Sequence, residues 1–229
     1  MRTASPLRAA LAAAALSSLV ACTSAPEYPP GAGLRAFDRR PPEGAETHFC
    51  PEWTEGDELV YRRGTRIEVS YVVEREGEGW ALHDPRSETK LVLDADLAQL
   101  GVRPSDGDPG EYDVRFDPFD PSYSWPLWVG KRWTGQYVRR EGSSTEVPVI
   151  ARYEVDASEE VTVPAGTFMT LRIYRRDAVD LPGNYVERTT VDWYAPEVGY
   201  VVKRLEGGLE TVLVERLTQG ARSEPTAGE

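Results

Sequence analysis

The chain has 229 residues, room for one ordinary domain with extensions or for two small ones. Its 26 Lys and Arg against 38 Asp and Glu give a formal net charge of −12, which excludes the broad basic face that phosphate binding needs. Apolar residues make up 40% and aromatics 10%, enough for a core, while two cysteines and two histidines exclude a disulfide-stapled scaffold and starve most His/Cys metal sites.

The N-terminal stretch MRTASPLRAALAAAALSSLVAC reads as an address, with residues 1–21 forming a lipoprotein signal peptide. Arg2 and Arg8 supply a positive start, and Ala9 to Val20 is an apolar run too short to span a bilayer comfortably. Leu19-Val20-Ala21-Cys22 resembles a bacterial lipobox, in which the cysteine receives a diacylglyceryl thioether and becomes the mature N-terminus. Thr23 follows, where an acidic residue would favour retention at the inner membrane; the expected location is therefore the outer membrane, lipid-anchored and facing the periplasm, with the cell surface as the alternative. The chain after the signal carries 24 basic and 38 acidic residues, a net −14 that opposes adsorption to anionic head groups, so the acyl chains hold the protein to the membrane.

Residues 22–44 form the lipidated cysteine and a tether, rich in Pro, Gly and Ala and without hydrophobic period. His48, Cys50 and Glu52 sit at spacings that place alternate side chains on one face of an extended segment. Zinc needs three or four ligands and only His83 could add an imidazole, so no metal site is read here, and Cys50 is read as a buried, inert thiol.

From residue 45 to 218 the period is two. Ile67, Val69, Tyr71 and Val73 alternate with Glu68, Ser70, Val72 and Glu74, as half-buried strands do. Further strands are expected at 59–62, 79–83, 89–94, 112–116, 132–139, 147–155, 160–163, 169–174, 185–194, 199–205 and 209–217, separated by Gly-, Pro- and Asn-containing turns. Asp94 to Leu100 has room for one or two helical turns, with Asp94 as N-cap and Gly101 as stop. Asp106, Asp108, Glu111 and Asp113 make an acidic loop that lacks the EF-hand order. The expected fold is all-β: one curved antiparallel sheet, or a partly open barrel or sandwich, of about ten to twelve short strands with very little helix. Residues 219–229 read as a disordered tail.

Three segments stand out as strand-end devices: Trp125-Pro126-Leu127-Trp128-Val129-Gly130-Lys131-Arg132-Trp133, Val161-Thr162-Val163-Pro164-Ala165-Gly166-Thr167-Phe168 and Trp193-Tyr194-Ala195-Pro196-Glu197-Val198-Gly199-Tyr200-Val201-Val202-Lys203. In this order they resemble a family of secreted and lipid-anchored bacterial proteins with a shared domain of unknown function, to which TapB-like proteins belong. The resemblance spans roughly residues 120 to 217 and implies a β-rich envelope domain, with no reaction attached. Members of the family have one residue fewer before the final lysine. The extra Val202 puts Lys203 on the opposite face of its strand, away from any role shared with the family.

Trp125, Trp128, Trp133, Trp193 and Tyr194 are the candidate apolar or aromatic ligand surface, with core and turn packing as the alternative. No G-x-S-x-G, glycine-rich phosphate loop or H-E-x-x-H is present. The sequence thus reads as a non-catalytic binding or scaffold lipoprotein of the cell envelope without a cofactor. Its partners are the membrane through the anchor, and an envelope protein or an amphiphilic small molecule, not nucleic acid. A carrier or sensor with a β cavity is the alternative, and a two-carboxylate glycan hydrolase a further one.

Overall fold

The computed structural model describes residues 33–37, 40–142, 145–181 and 184–218. The stretch read as a signal peptide, Cys22 and the tail from residue 219 lie outside the described residues. Thirteen strands form one antiparallel sheet: β1 (Gly33–Ala36), β2 (Glu58–Arg63), β3 (Ile67–Glu76), β4 (Gly79–Asp84), β5 (Thr89–Leu93), β6 (Gln99–Pro104), β7 (Val114–Asp120), β8 (Arg132–Glu141), β9 (Thr145–Val163), β10 (Gly166–Leu181), β11 (Asn184–Ala195), β12 (Tyr200–Glu206) and β13 (Leu209–Leu217).

The sheet runs β8-β7-β6-β5-β4-β3-β2-β13-β12-β11-β10-β9, and β9 pairs back onto β8, closing a twelve-stranded barrel. Closure removes the open edges that an antiparallel sheet of this size would otherwise expose. β1 lies outside this ring order, pairing with the first half of β8 beside the shorter β7. Four residues of the segment read as tether are therefore structured, because the Gly33–Ala36 backbone satisfies the part of β8 that β7 leaves unpaired.

Most expected strands are present, several with longer ends. The stretches expected at 147–155 and 160–163 are one strand of 19 residues, β9. The interruption between them is a bulge at Asp156, where the register to β10 shifts between Arg172 and Ile173. The helical turns allowed at Asp94–Leu100 do not form. Asp94 Oδ1 instead accepts hydrogen bonds from the amides of Asp96 and Ala98, an Asx-type turn with Leu97 at φ 62°, and β6 starts at Gln99. Gly101 lies inside β6 rather than ending a helix. A Cβ there would stand 2.4 Å from the Val114 carbonyl oxygen, so close backbone approach demands glycine.

Two apolar clusters divide the interior. One holds Leu59, Val73, Trp80, Leu93, Leu97 and Tyr200, with Trp53 stacked on Tyr200 at 4.9 Å. The other holds Leu127, Trp133, Tyr137, Tyr153, Ile173 and Tyr194, with Trp133 and Tyr153 stacked at 5.0 Å. Tyr123 and Trp125, on the connection between β7 and β8, pack against both.

Candidate functional site

The two halves of the barrel differ in how they are filled. In the half around Trp133, a polar network sits among the rings. Asp120 accepts hydrogen bonds from the hydroxyls of Tyr137 and Tyr153 and pairs with Arg175 at 2.8 Å, and Arg175 also bonds Asp177 at 2.7 Å. Burial raises the Asp177 carboxyl above its ordinary value, and Arg175 partly offsets it. These groups satisfy one another and leave that half packed.

The other half contains a cavity of about 590 Å³. Its inner wall comes from alternate residues of β2 to β5, the faces that the period-two pattern turns inward, joined by residues of β6, β11, β12 and β13. The floor is apolar and buried: Leu59, Leu93, Leu97 and Tyr200. The middle carries Tyr61, Tyr71, Leu82, Leu91 and Tyr123, only half-buried although they face the barrel interior. The mouth is polar and includes the exposed Arg63, Ser87 and Glu206, at the ends of strands that finish or begin on the same side of the barrel.

The polar groups of the inner wall are mostly committed. Arg204 donates Nε and Nη2 to the two oxygens of Asp192 at 2.6 and 2.8 Å, and the Asp192 charge raises the guanidinium's pKa above its ordinary value. The Tyr61 hydroxyl donates to the Val201 carbonyl at 2.8 Å, and burial pushes its pKa well up. Burial alone would raise Asp84, but hydrogen bonds from the Ser87 hydroxyl and the amides of Arg86 and Ser87 outweigh it and hold the carboxyl below its ordinary value. The Tyr200 hydroxyl, Asp57 Oδ1 and Arg216 Nε are buried without a hydrogen-bond partner, although Asp57 and Arg216 pair through their other atoms at 2.9 Å.

The five residues of the candidate aromatic surface do not form one groove. Trp128, Trp133 and Tyr194 are each 1% exposed. Trp133 donates Nε1 to the Pro121 carbonyl at 2.8 Å, and Trp128 lies under the Lys131 ammonium. Trp193 is half-buried, donates to Glu159 at 2.6 Å and has Lys203 over its ring at 5.0 Å. Trp125 comes nearest the cavity: it stacks on the lining residue Tyr123 at 5.0 Å and donates to the Asp96 carbonyl at 2.8 Å. The cavity instead uses tyrosines and leucines of ordinary strands. Their alternation marks them as inward-facing, but nothing local distinguishes them from core.

Each recognised segment now has a structural job. Lys131, 2% exposed, donates to the carbonyls of Ser124 and Pro126 and so pins the loop that carries Tyr123. The Val163–Phe168 segment is the β9–β10 hairpin tip; Ala165 N donates to the Leu213 carbonyl at 3.2 Å, and Val163 joins the first apolar cluster. In the third segment the register shifts by one residue. Trp193 faces Lys203 and Tyr194 faces Val201, so Val202 is the extra residue of a bulge. Lys203 thereby stays opposite Trp193, and the expected turn to the other face does not occur. Gly199, at φ 74°, cannot take a side chain without meeting Pro51 at 2.9 Å.

His48 forms an isolated bridge with Leu127, its amide donating at 2.9 Å. Cys50 is half-buried, its thiol directed at the Ala95 carbonyl at 3.6 Å. Burial, with Asp96 and Asp94 nearby, pushes its pKa up to about 11, so it stays protonated and slow to react. Among the described residues no group of three or more His, Cys, Asp or Glu side chains could hold a metal ion.

No match is found among curated proteins. Among solved structures, similarity is found to a presumed exported protein with a YmcC-like fold from Bacteroides fragilis, at 15% identity and TM-score 0.43 over 76% of this chain and 100% of that one. It is also found to a presumed lipoprotein from Parabacteroides distasonis, at 15% identity and TM-score 0.47 over 75% and 100%. The hypothetical lipoprotein YmcC from Escherichia coli matches at 12% identity and TM-score 0.44 over 73% and 92%. The sequence profile of the family described as DUF3108-like matches residues 138–205, which contain the second and third recognised segments and leave out the first.

Proposed function

We propose that this chain is a non-catalytic lipoprotein of the cell envelope that binds one amphiphilic small molecule inside its barrel. The observation that carries the reading is the cavity of about 590 Å³, with a buried apolar floor and an exposed polar mouth. Its volume falls within the range of about 300–1,000 Å³ typical of small-molecule sites, and its gradient from apolar to polar matches a molecule with a tail and a head. Two of the three carboxylates that line it support the non-catalytic part: Asp192 is tied to Arg204 and Asp84 to its own turn, so neither is poised to donate a proton, while the third, Glu206, stands at the exposed mouth. The anchor at Cys22, the outer-membrane location, the periplasmic orientation and the kinship to TapB-like proteins belong to the same reading and rest on the sequence.

The chain from Thr23 onward contains every described residue and is the form to assay. Native mass spectrometry after gentle purification from the periplasm is expected to show a solvent-extractable extra mass. The emptied protein is expected to bind the fluorophore N-phenyl-1-naphthylamine, and Leu82→Trp, which fills the cavity, is expected to abolish that binding while leaving the circular dichroism unchanged. A bare mass together with fluorophore binding that ignores Leu82→Trp would reject the cavity as the site. The anchor is tested separately: Cys22→Ser is expected to remove acyl labelling and membrane retention.

A further inference from the structure

This inference rests on the cavity being a ligand site, and it names the head group of the ligand. Five charged side chains line the cavity: Arg63, Asp84, Asp192, Arg204 and Glu206. Three of them are spoken for. Asp192 and Arg204 neutralise each other in a two-point pair, and Asp84 has both oxygens engaged by its own turn. Arg63 and Glu206 remain, and neither has a hydrogen-bond or ion-pair partner among the described residues. They flank β13: Arg63 lies opposite Thr211, and Glu206 lies opposite Leu209. They therefore stand on either side of one strand at the mouth, with partners two residues apart on that strand.

A ligand entering tail-first brings its head to this level. A purely anionic head would gain Arg63 but meet Glu206, and a purely cationic head would meet the reverse. We propose that the cavity takes a single-chain amphiphile with a zwitterionic head, its phosphate-type anion on Arg63 and its ammonium on Glu206. A guanidinium suits a tetrahedral oxyanion because it offers parallel N–H donors. Thr211, between the two charges and also lining the cavity, adds a hydroxyl to the same face.

The test is displacement of N-phenyl-1-naphthylamine from the chain beginning at Thr23, using three probes with the same sixteen-carbon tail below their aggregation limits. The probes are lysophosphatidylethanolamine (zwitterionic), lysophosphatidylglycerol (anionic) and hexadecyltrimethylammonium (cationic). The zwitterion is expected to displace the fluorophore at about tenfold lower concentration than either other probe. Glu206→Gln is expected to bring the anionic probe to within about threefold of the zwitterion. Arg63→Gln is expected to weaken both phosphate lipids and spare the cation. Both side chains are exposed at strand ends, so the variants are expected to fold, and retained fluorophore binding reports it. Equal displacement by all three probes, or preferences that neither substitution changes, overturns the head-group assignment and leaves the cavity standing. Failure of the wild-type chain to bind the fluorophore overturns the cavity itself.

Discussion

Lys131 is the residue whose environment departs furthest from its local sequence. A lysine after a glycine in a turn reads as a solvated charge, yet here it is buried with its ammonium over the Trp128 ring and two loop carbonyls as acceptors. Replacing it with methionine keeps the stem and leaves those carbonyls unsatisfied; the expected loss is about 3 kcal/mol, read as a lower urea midpoint with unchanged slope. Glu74 gives a second residue-scale expectation. Burial alone would raise its pKa, but hydrogen bonds from Lys90 at 2.7 Å and His83 at 2.8 Å outweigh it and lower the carboxyl below its ordinary 4.5. A depressed folded pKa stabilises the fold above the unfolded value, and that contribution disappears as pH falls through the folded one. The stability difference between wild type and Glu74→Gln is therefore expected to be about 0.5–1 kcal/mol at pH 7 and to vanish in acid, starting near pH 4.5 and continuing below it. A difference that stays constant down to pH 3 would remove the carboxylate from the account.

The strands were readable from period two because one face of each is buried and the other solvated. What local pattern could not give was their irregularities. The bulges at Asp156 and Val202 exist because a barrel wall must curve and because motif residues must keep their cross-strand partners, which are distant in sequence. The Asp94 turn shows the same competition: DADLAQL satisfies a helix cap and an Asx turn equally well, and pairing of β6 with β5 selects the turn. Gly101 carries this lesson into an experiment. Because its missing Cβ makes room for the Val114 carbonyl oxygen and the Tyr112 ring, Gly101→Ala is expected to cost about 3 kcal/mol and lower the unfolding midpoint accordingly. A helix-stop role, with glycine in the left-handed region, would instead predict a smaller loss of about 1 kcal/mol.

At the scale of the whole molecule, closure of β9 onto β8 makes the barrel one cooperative unit, and a ligand held inside it stabilises all of that unit. An amphiphile present at one hundred times its Kd is expected to add about 2.7 kcal/mol to unfolding stability, seen as a shift of the thermal transition that Leu82→Trp abolishes. The sequence by itself determined the all-β class, most of the strands and turns, and the three segments, since alternation and glycine or proline chemistry act over a few residues; it missed β1 and β6 and divided β9 in two. Only the tertiary structure decided that the sheet closes, that Gly33–Ala36 joins it, and that the tryptophans of the recognised segments mostly serve packing and loop anchoring. It alone decided that one half of the barrel is filled by the Asp120 network while the other stays open. The physical reason is that alternation tells which way a side chain points. Whether it meets another side chain or a void depends on the opposite wall and on the Tyr123–Leu127 loop, many residues away.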